Sequence, residues 1–219
     1  MYKRIMKRLL DIFLSAIAIV LLALPMLIVA VAIKIDDPGP VIFKQKRVGR
    51  KKNGELTYFM IWKFRSMKMS TPRETPTHLL ANPQQYITRV GRFIRRTSLD
   101  ELPQLYQVFS GKLSAVGPRS ALWTQSDLIA EREKYGANDL RPGITGWAQI
   151  NGRDELEIPV KAKFDGEYAA ALNAGKGKGF AMDVKCFFGT FLPVLRSEGV
   201  VEGDTGKQEK QTTEEVTAT

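Results

Sequence analysis

Residues Ile12–Ile33 read "IFLSAIAIVLLALPMLIVAVAI", without one charged side chain. Coiled as an α-helix the stretch spans roughly 33 Å, the thickness of a bilayer's hydrocarbon core. A cleaved signal peptide would have a shorter apolar region and a small-residue cleavage site. A buried helix of a soluble domain seldom runs so long without a charge. Lys3, Arg4, Lys7 and Arg8 precede the run, and Lys34, Lys44, Lys46, Arg47, Arg50, Lys51 and Lys52 follow it. Cations near both ends ask for both ends to face the cytoplasm. A straight span cannot satisfy that, whereas a helix that dips into one leaflet and returns can. Pro25 supplies a bend, because it lacks an amide hydrogen and its ring crowds the carbonyl of Leu21. The two arms would measure roughly 20 and 12 Å, about one leaflet each. Proline also occurs in spanning helices, so a simple span stays open. Charge and kink together favour a re-entrant helix over residues 1–35, with Pro25 as the membrane bend.

Beyond Asp36 the chain turns soluble. "DDPGP" is a turn, and "VIFKQKRVG" and "TYFMIWKF" read as short strands around the loop "RKKNGE". "QQYITRVGRFIRR" and "ELPQLYQVFSG" carry helical spacing, and "KLSAVGPRS" reads as a short strand ending in a turn. "ALWTQSDLIAEREKYG", "PVKAKFDGEYAAALN" and "FAMDVKCFFGTFLPVLRS" read as helices, and "LRPGITGWAQINGR" as a glycine-punctuated loop. The expected class is α+β and mostly helical: the membrane helix packs on a catalytic domain over residues 36–201 that holds a small β-hairpin and short strands. Residues 202–219 lack large apolar side chains and are expected to be disordered.

The chain has 219 residues and a formal net charge of +10, which points to an anionic partner: a phosphate compound, an anionic membrane or nucleic acid. Cys186 and His78 are the only residues of their types. That excludes an intramolecular disulfide and the usual Cys/His zinc sites. His78 falls in a turn-rich stretch that reads as surface loop. Catalysis would fall to carboxylates, and any metal would be a hard ion that accepts oxygen ligands.

Two acids stand side by side in "RRTSLDELPQLYQVFSG", residues 95–111. Ser98 and Glu101 fit an S-x-x-E capping box, and Asp100 as N-cap would place Pro103 at the third helical position, where no amide is needed. The other reading is chemical: a carboxylate pair near Arg95 and Arg96, poised to work on a phosphate. Further cations sit beside turns or strand ends and are candidate phosphate ligands: Lys63 and Arg65 in "WKFRSM", Arg119 in "VGPRS", Arg141 in "LRPG" and Arg153 in "INGR". "AGKGKG" lacks the spacing of a nucleotide-binding loop, and no dinucleotide or kinase fingerprint occurs.

The motifs "KRLLDI", "DDPGPVIFKQKRVG", "WKFRSM", "RRTSLDELPQL", "LSAVGPRS" and "LRPGITGWAQINGR" occur in this order. Together they resemble the small bacterial polyprenyl-phosphate phosphoglycosyl transferases, the bacterial sugar transferase family. The likeness runs over most of the chain and is to the minimal form, without a multi-span N-terminal region. It implies a monotopic enzyme of the bacterial inner membrane, held in lipid of the cytoplasmic leaflet with its catalytic domain facing the cytoplasm. Such an enzyme moves a sugar 1-phosphate from a UDP-sugar to undecaprenyl phosphate and releases UMP, the first membrane step of a glycoconjugate or exopolysaccharide. It implies catalysis by Asp100 and Glu101 with Mg²⁺, and phosphate binding by Arg95 and Arg119. On this reading Asp100 is the nucleophile that carries the phosphosugar, and Glu101 a Mg²⁺ ligand, a general base or both. Two departures stand out: Ser120 follows Arg119 where many relatives have proline, and Leu24 precedes Pro25 where many have serine. The rival class is a non-enzymatic basic membrane protein that binds anionic lipid or nucleic acid, which would leave the acidic pair idle. On the enzyme reading nucleic acid is no partner. The sugar and the oligomeric state, a dimer included, are not legible.

Overall fold

The computed structural model describes residues 2–71, 82–152, 156–175 and 177–196; His78, Arg153 and the segment 202–219 lie outside them. A wide helical turn, Tyr2–Met6, leads into α1 (Lys7–Leu21), and α2 (Ala23–Asp36) follows at a 60° bend. Among the described residues no single helix is long and apolar enough to cross a membrane; only this bent pair is, taken together. The break falls at Leu22, not at the proline. Pro25 occupies the third position of α2, where its missing amide costs nothing, and the amide of Met26 still donates to the carbonyl of Leu22 at 2.9 Å. The proline starts the second helix and thereby ends the first. Ser15 does not help at the break: its hydroxyl donates to Asp11 O at 2.5 Å, one turn back.

One face of the pair is built into the protein. Met26, Val29 and Ile33 of α2 form a buried cluster with Phe64 and Ile94. On α1 the buried residues are Asp11 and Ser15, and Asp11 accepts from the Ser114 hydroxyl at 2.8 Å and the Ala115 amide at 2.9 Å. The opposite face exposes Leu9, Phe13, Ile17, Leu21, Leu24, Leu27, Ile28, Val31 and Ile35. So continuous an apolar surface needs a cover.

Next come β1 (Ile42–Lys52) and β2 (Glu55–Phe64), an antiparallel pair that sets Ile42 opposite Phe64 and Lys52 opposite Glu55. The strands run further than expected: most of "RKKNGE" is strand, and the turn is Asn53-Gly54 alone, both at positive φ. That dipeptide suits the tight turn whose twist matches the strands. The chain continues through α3 (Arg89–Arg96), α4 (Gln104–Ser110) and β3 (Ser114–Val116). Thr88 caps α3, its hydroxyl accepting from Gly91 N at 2.9 Å, and Gly111 at φ 85 closes α4. Then follow α5 (Ser126–Glu133), β4 (Gly143–Thr145), α6 (Trp147–Ile150), α7 (Ile158–Asn173) and α8 (Lys178–Arg196).

The stretch expected to be a glycine-punctuated loop therefore holds a strand and a helical turn. β4 pairs with β3 in parallel, Ser114 opposite Gly143 and Val116 opposite Thr145. Glycine explains both the pairing and its illegibility. A Cβ on Gly143 would lie 2.1 Å from Gly117 N, and one on Gly146 2.1 Å from Gly117 O, so the backbones approach only because both side chains are absent. The fold is α+β and mostly helical, as expected.

Candidate active site

β2 brings Lys63 to the site. Lys63 shares a strand face with buried Ile61, so its stem runs inward and its ammonium reaches the turn after α3. That turn is forced by Ser98, at φ 56, which sends Leu99–Glu101 into a single tight helical turn before α4. Neither capping arrangement forms. Ser98 makes no cap hydrogen bond, α4 begins only at Gln104 after Pro103, and no side chain caps it. Both acids are thus free to face the cations.

Lys63 Nζ lies 2.7 Å from Glu101 Oε1 and 3.5 Å from Asp100 Oδ2. Arg119 Nη2 meets the same Glu101 oxygen at 2.9 Å. Asp100 is only 9% exposed. Burial pushes its carboxyl above the ordinary carboxylate value; Lys63 draws it down, Glu101 adds to the rise, and Arg95 and Arg119 draw it down again. For Glu101 burial also disfavours the charge, but Arg119 and Lys63 outweigh it and hold the carboxyl well below the usual range. The neighbours are therefore unlike. Glu101 is locked as an anion in a double ion pair, while Asp100 is a more basic carboxylate with one long contact to Lys63.

Arg119 arrives from the other side, on the loop after β3. Gly117 N donates to Thr145 O at 2.7 Å and Gly143 N to Pro118 O at 2.9 Å, which pins the loop to β4. Its side chain is 41% exposed. Ser120, in the place of the expected proline, keeps the turn through its carbonyl, which accepts from Arg47 Nη1 at 3.0 Å.

Of the candidate cations, Lys63 and Arg119 touch the acids, and Arg95, in the last turn of α3, acts on Asp100 through space. Arg141 is half-buried and makes no ion pair with either acid; burial disfavours its charge, as do Arg8 and Arg50, against the pull of Asp11. Arg65 is a structural tie, pairing with Asp37 Oδ2 at 2.7 Å and also with the Asp37 carbonyl. Asp183 is satisfied inside the protein by Tyr2, by Lys7 at 2.7 Å and by Tyr168 at 2.6 Å. Sequence reading missed two residues altogether. Gln107 is buried between α4 and β2, and Asp165 is buried on Arg132; neither stands in a motif that spacing reveals.

The donor set suits Mg²⁺ in one particular manner. No group of three or more acidic, histidine or cysteine side chains is gathered among the described residues. Mg²⁺ is commonly held by one or two carboxylates together with substrate phosphates, and Glu101 is engaged by both cations at Oε1. The pair thus fits a cation that arrives with a phosphate compound.

The bacterial sugar transferase family model matches residues 2–197, and the chain belongs to that family. It is 40% identical over 178 residues to the UDP-glucose:undecaprenyl-phosphate glucose-1-phosphate transferase of Escherichia coli (strain K12), which covers 75% of this chain and 36% of that protein. It is 36% identical over 199 residues to the exopolysaccharide production protein PSS of Rhizobium leguminosarum bv. phaseoli, covering 87% of this chain and 96% of that one. With the undecaprenyl-phosphate galactose phosphotransferase of Salmonella typhimurium it shares 36% identity over 211 residues, 90% of this chain and 42% of that protein. The chain thus spans under half of two of these relatives and nearly all of the third.

Proposed function

We propose that the protein transfers a sugar 1-phosphate from a UDP-sugar to undecaprenyl phosphate, through a covalent phosphosugar on Asp100. The observation that carries this reading is the inequality of the two acids. Asp100 is the more basic, with one long contact, and Glu101 is fixed between Lys63 and Arg119. A carboxylate kept basic by burial is a better nucleophile than a solvated one.

In the first half-reaction an Asp100 oxygen forms a bond to the sugar-bearing phosphorus. The bond from that phosphorus to the bridging oxygen breaks, and the oxygen leaves with UMP. Lys63 and Arg119 bind phosphate oxygens and reduce the repulsion between anionic nucleophile and anionic donor; Arg95 contributes field at longer range. In the second, a phosphate oxygen of the acceptor attacks the same phosphorus and the Asp100 carboxylate is released. The acceptor's second pKa is about 6, so it is largely dianionic at neutral pH and needs little help from a base. Glu101 would hold Mg²⁺ together with donor phosphates, and the ion would supply further charge neutralisation there. Arg153 and Arg141 are kept as further phosphate contacts on the strength of their sequence setting alone.

The test is UMP release from a panel of UDP-sugars, in detergent with Mg²⁺ and with or without undecaprenyl phosphate. Stoichiometric UMP and protein-bound phosphosugar are expected without acceptor, and continuous turnover with it. UMP that appears only when acceptor is present, with no label on the protein, would remove the covalent step. The same panel separates the enzyme from a basic membrane protein that merely binds anions.

We also propose that the bent pair enters the cytoplasmic leaflet of the bacterial inner membrane and returns, leaving the catalytic domain in the cytoplasm. The exposed apolar face and the cations at both ends support it. Cysteines introduced singly at Ile5 and Lys34, both exposed and at the two ends of the apolar run, should react with an impermeant reagent from the same side of sealed vesicles. Reaction from opposite sides would mean a span.

A further inference from the structure

The site is assembled from three separate pieces of chain: β2 with Lys63, the turn with Asp100 and Glu101, and the loop after β3 with Arg119. One residue outside the site is joined to all three. Gln107, 1% exposed on α4, accepts from the Trp62 amide through Oε1 at 2.9 Å and donates from Nε2 to the Met60 carbonyl at 2.6 Å. Those two groups lie on the edge of β2 away from β1, one residue apart on either side of Ile61. A neighbouring strand's peptide would make the same two bonds. The carboxamide thus stands in for a third strand, and two bonds fix the strand against the helix in both distance and rotation.

Lys63 is the next residue after Trp62, and Glu101 lies six residues before Gln107 on the chain that α4 continues. The Lys63–Glu101 ion pair and the Gln107 clamp are therefore the two ends of one short closed loop of contacts. The backbone of Gln107 adds the third link. Its carbonyl accepts from Lys112 N at 2.9 Å and Leu113 N at 3.0 Å, and so turns the chain from α4 into β3, which ends at the Arg119 loop.

We propose that Gln107 is a positioning residue of the transfer reaction, one that sets Lys63 of β2 in register with the Asp100–Glu101 turn. Gln107 touches no substrate. It acts through Lys63, and the inference rests on Asp100 and its cations being the reacting centre. A shift of about 1 Å in a catalytic group can cost about a hundredfold in rate. Gln107→Asn shortens the side chain by one methylene, so its amide no longer spans from the helix to both strand groups.

The experiment is a double-mutant cycle on the full chain in detergent. Its readout is single-turnover UMP release with enzyme in excess of UDP-sugar, over a range of enzyme concentrations. Gln107→Asn should lower the maximal rate by about 30- to 100-fold and change the half-saturating concentration by less than about threefold. Lys63→Met should lower the rate on its own, and adding Gln107→Asn to it should cost no more than about twofold further, because the residue being positioned is gone. Equal losses with and without Lys63 would overturn the proposal, as would a loss confined to half-saturation. Gln107→Leu is the second variant; if either fails to fold, the cycle is completed with the other, and thermal midpoints identify a folding defect. Should Asp100→Asn remain active, the reading of the site fails. If Asp100→Asn is inert and the cycle is additive, the site stands and only the role of Gln107 falls.

Discussion

Asp100→Asn is expected to lower sugar-phosphate transfer by about a thousandfold or more, while the fold and donor binding survive. The substitution is nearly isosteric and removes the oxygen that would bond to phosphorus. It also deletes a charge that Lys63 meets only at 3.5 Å, so the main ion pair of Lys63, with Glu101 at 2.7 Å, persists. Label from a sugar-phosphate donor should no longer be retained on the protein, whereas Glu101→Gln should still capture some, more slowly. Glu101 holds Arg119 and Lys63 in place, so its loss should spread across both half-reactions. Undiminished labelling in Asp100→Asn would place the nucleophile elsewhere.

The largest expected effect on stability lies outside that chemistry. Arg132 of α5 donates to Asp165 of α7 from Nε at 2.8 Å and pairs through Nη2 at 2.6 Å, with side-chain exposures of 5% and 1%. Both contacts fall on Oδ2, and Oδ1 is buried with no partner among the described residues. Asp165→Ala should cost about 3–5 kcal/mol, because a guanidinium is then buried unpaired. At about 2–4 °C per kcal/mol for a chain of this size, the midpoint should fall by about 6–20 °C. Burying any ion pair costs desolvation of both charges, however. Burial pushes the Asp165 carboxyl above its ordinary value despite Arg132. Replacing both partners, Arg132→Met with Asp165→Leu, should therefore restore most of the lost stability. Thermal unfolding of the detergent-solubilised single and double variants checks this, and a double variant no better than Asp165→Ala would show that the pair is more than a tolerated burial.

What the sequence made legible is uneven, for physical reasons. The uncharged run and Pro25 announce a bent apolar pair, since composition and a missing amide are visible residue by residue. That the break falls at Leu22 follows from the proline's tolerance for a first helical turn, which no pattern in the run displays. The β-hairpin was legible but too short, because the charged "RKK" hid strand residues whose alternate side chains face solvent. β4 was missed because glycine, which weakens a strand signal, is what lets two backbones meet at Gly117 and Gly143. At the site, Lys63 and Arg119 stood out in the sequence as cations beside turns or strand ends, and the fold brings both onto Glu101. The failure of both capping readings was not legible, since only the left-handed backbone of Ser98 shows that a tight turn without a side-chain cap precedes α4. Gln107 gave no signal at all: an amide on a helix face reads as surface until the strand it meets is known.

The way α2 is inserted bears on how this protein can be handled. Met26, Val29 and Ile33 complete a cluster with Phe64 and Ile94, next to the strand that carries Lys63, and Asp11 of α1 holds the strand that leads to Arg119. Each of those three apolar side chains is worth about 1.5–3 kcal/mol when buried. Trimming the first 35 residues to obtain a water-soluble catalytic fragment would therefore remove part of the scaffold on which the reacting groups are mounted. Preparations that keep lipid or detergent around the intact chain are the ones in which the chemistry should survive purification.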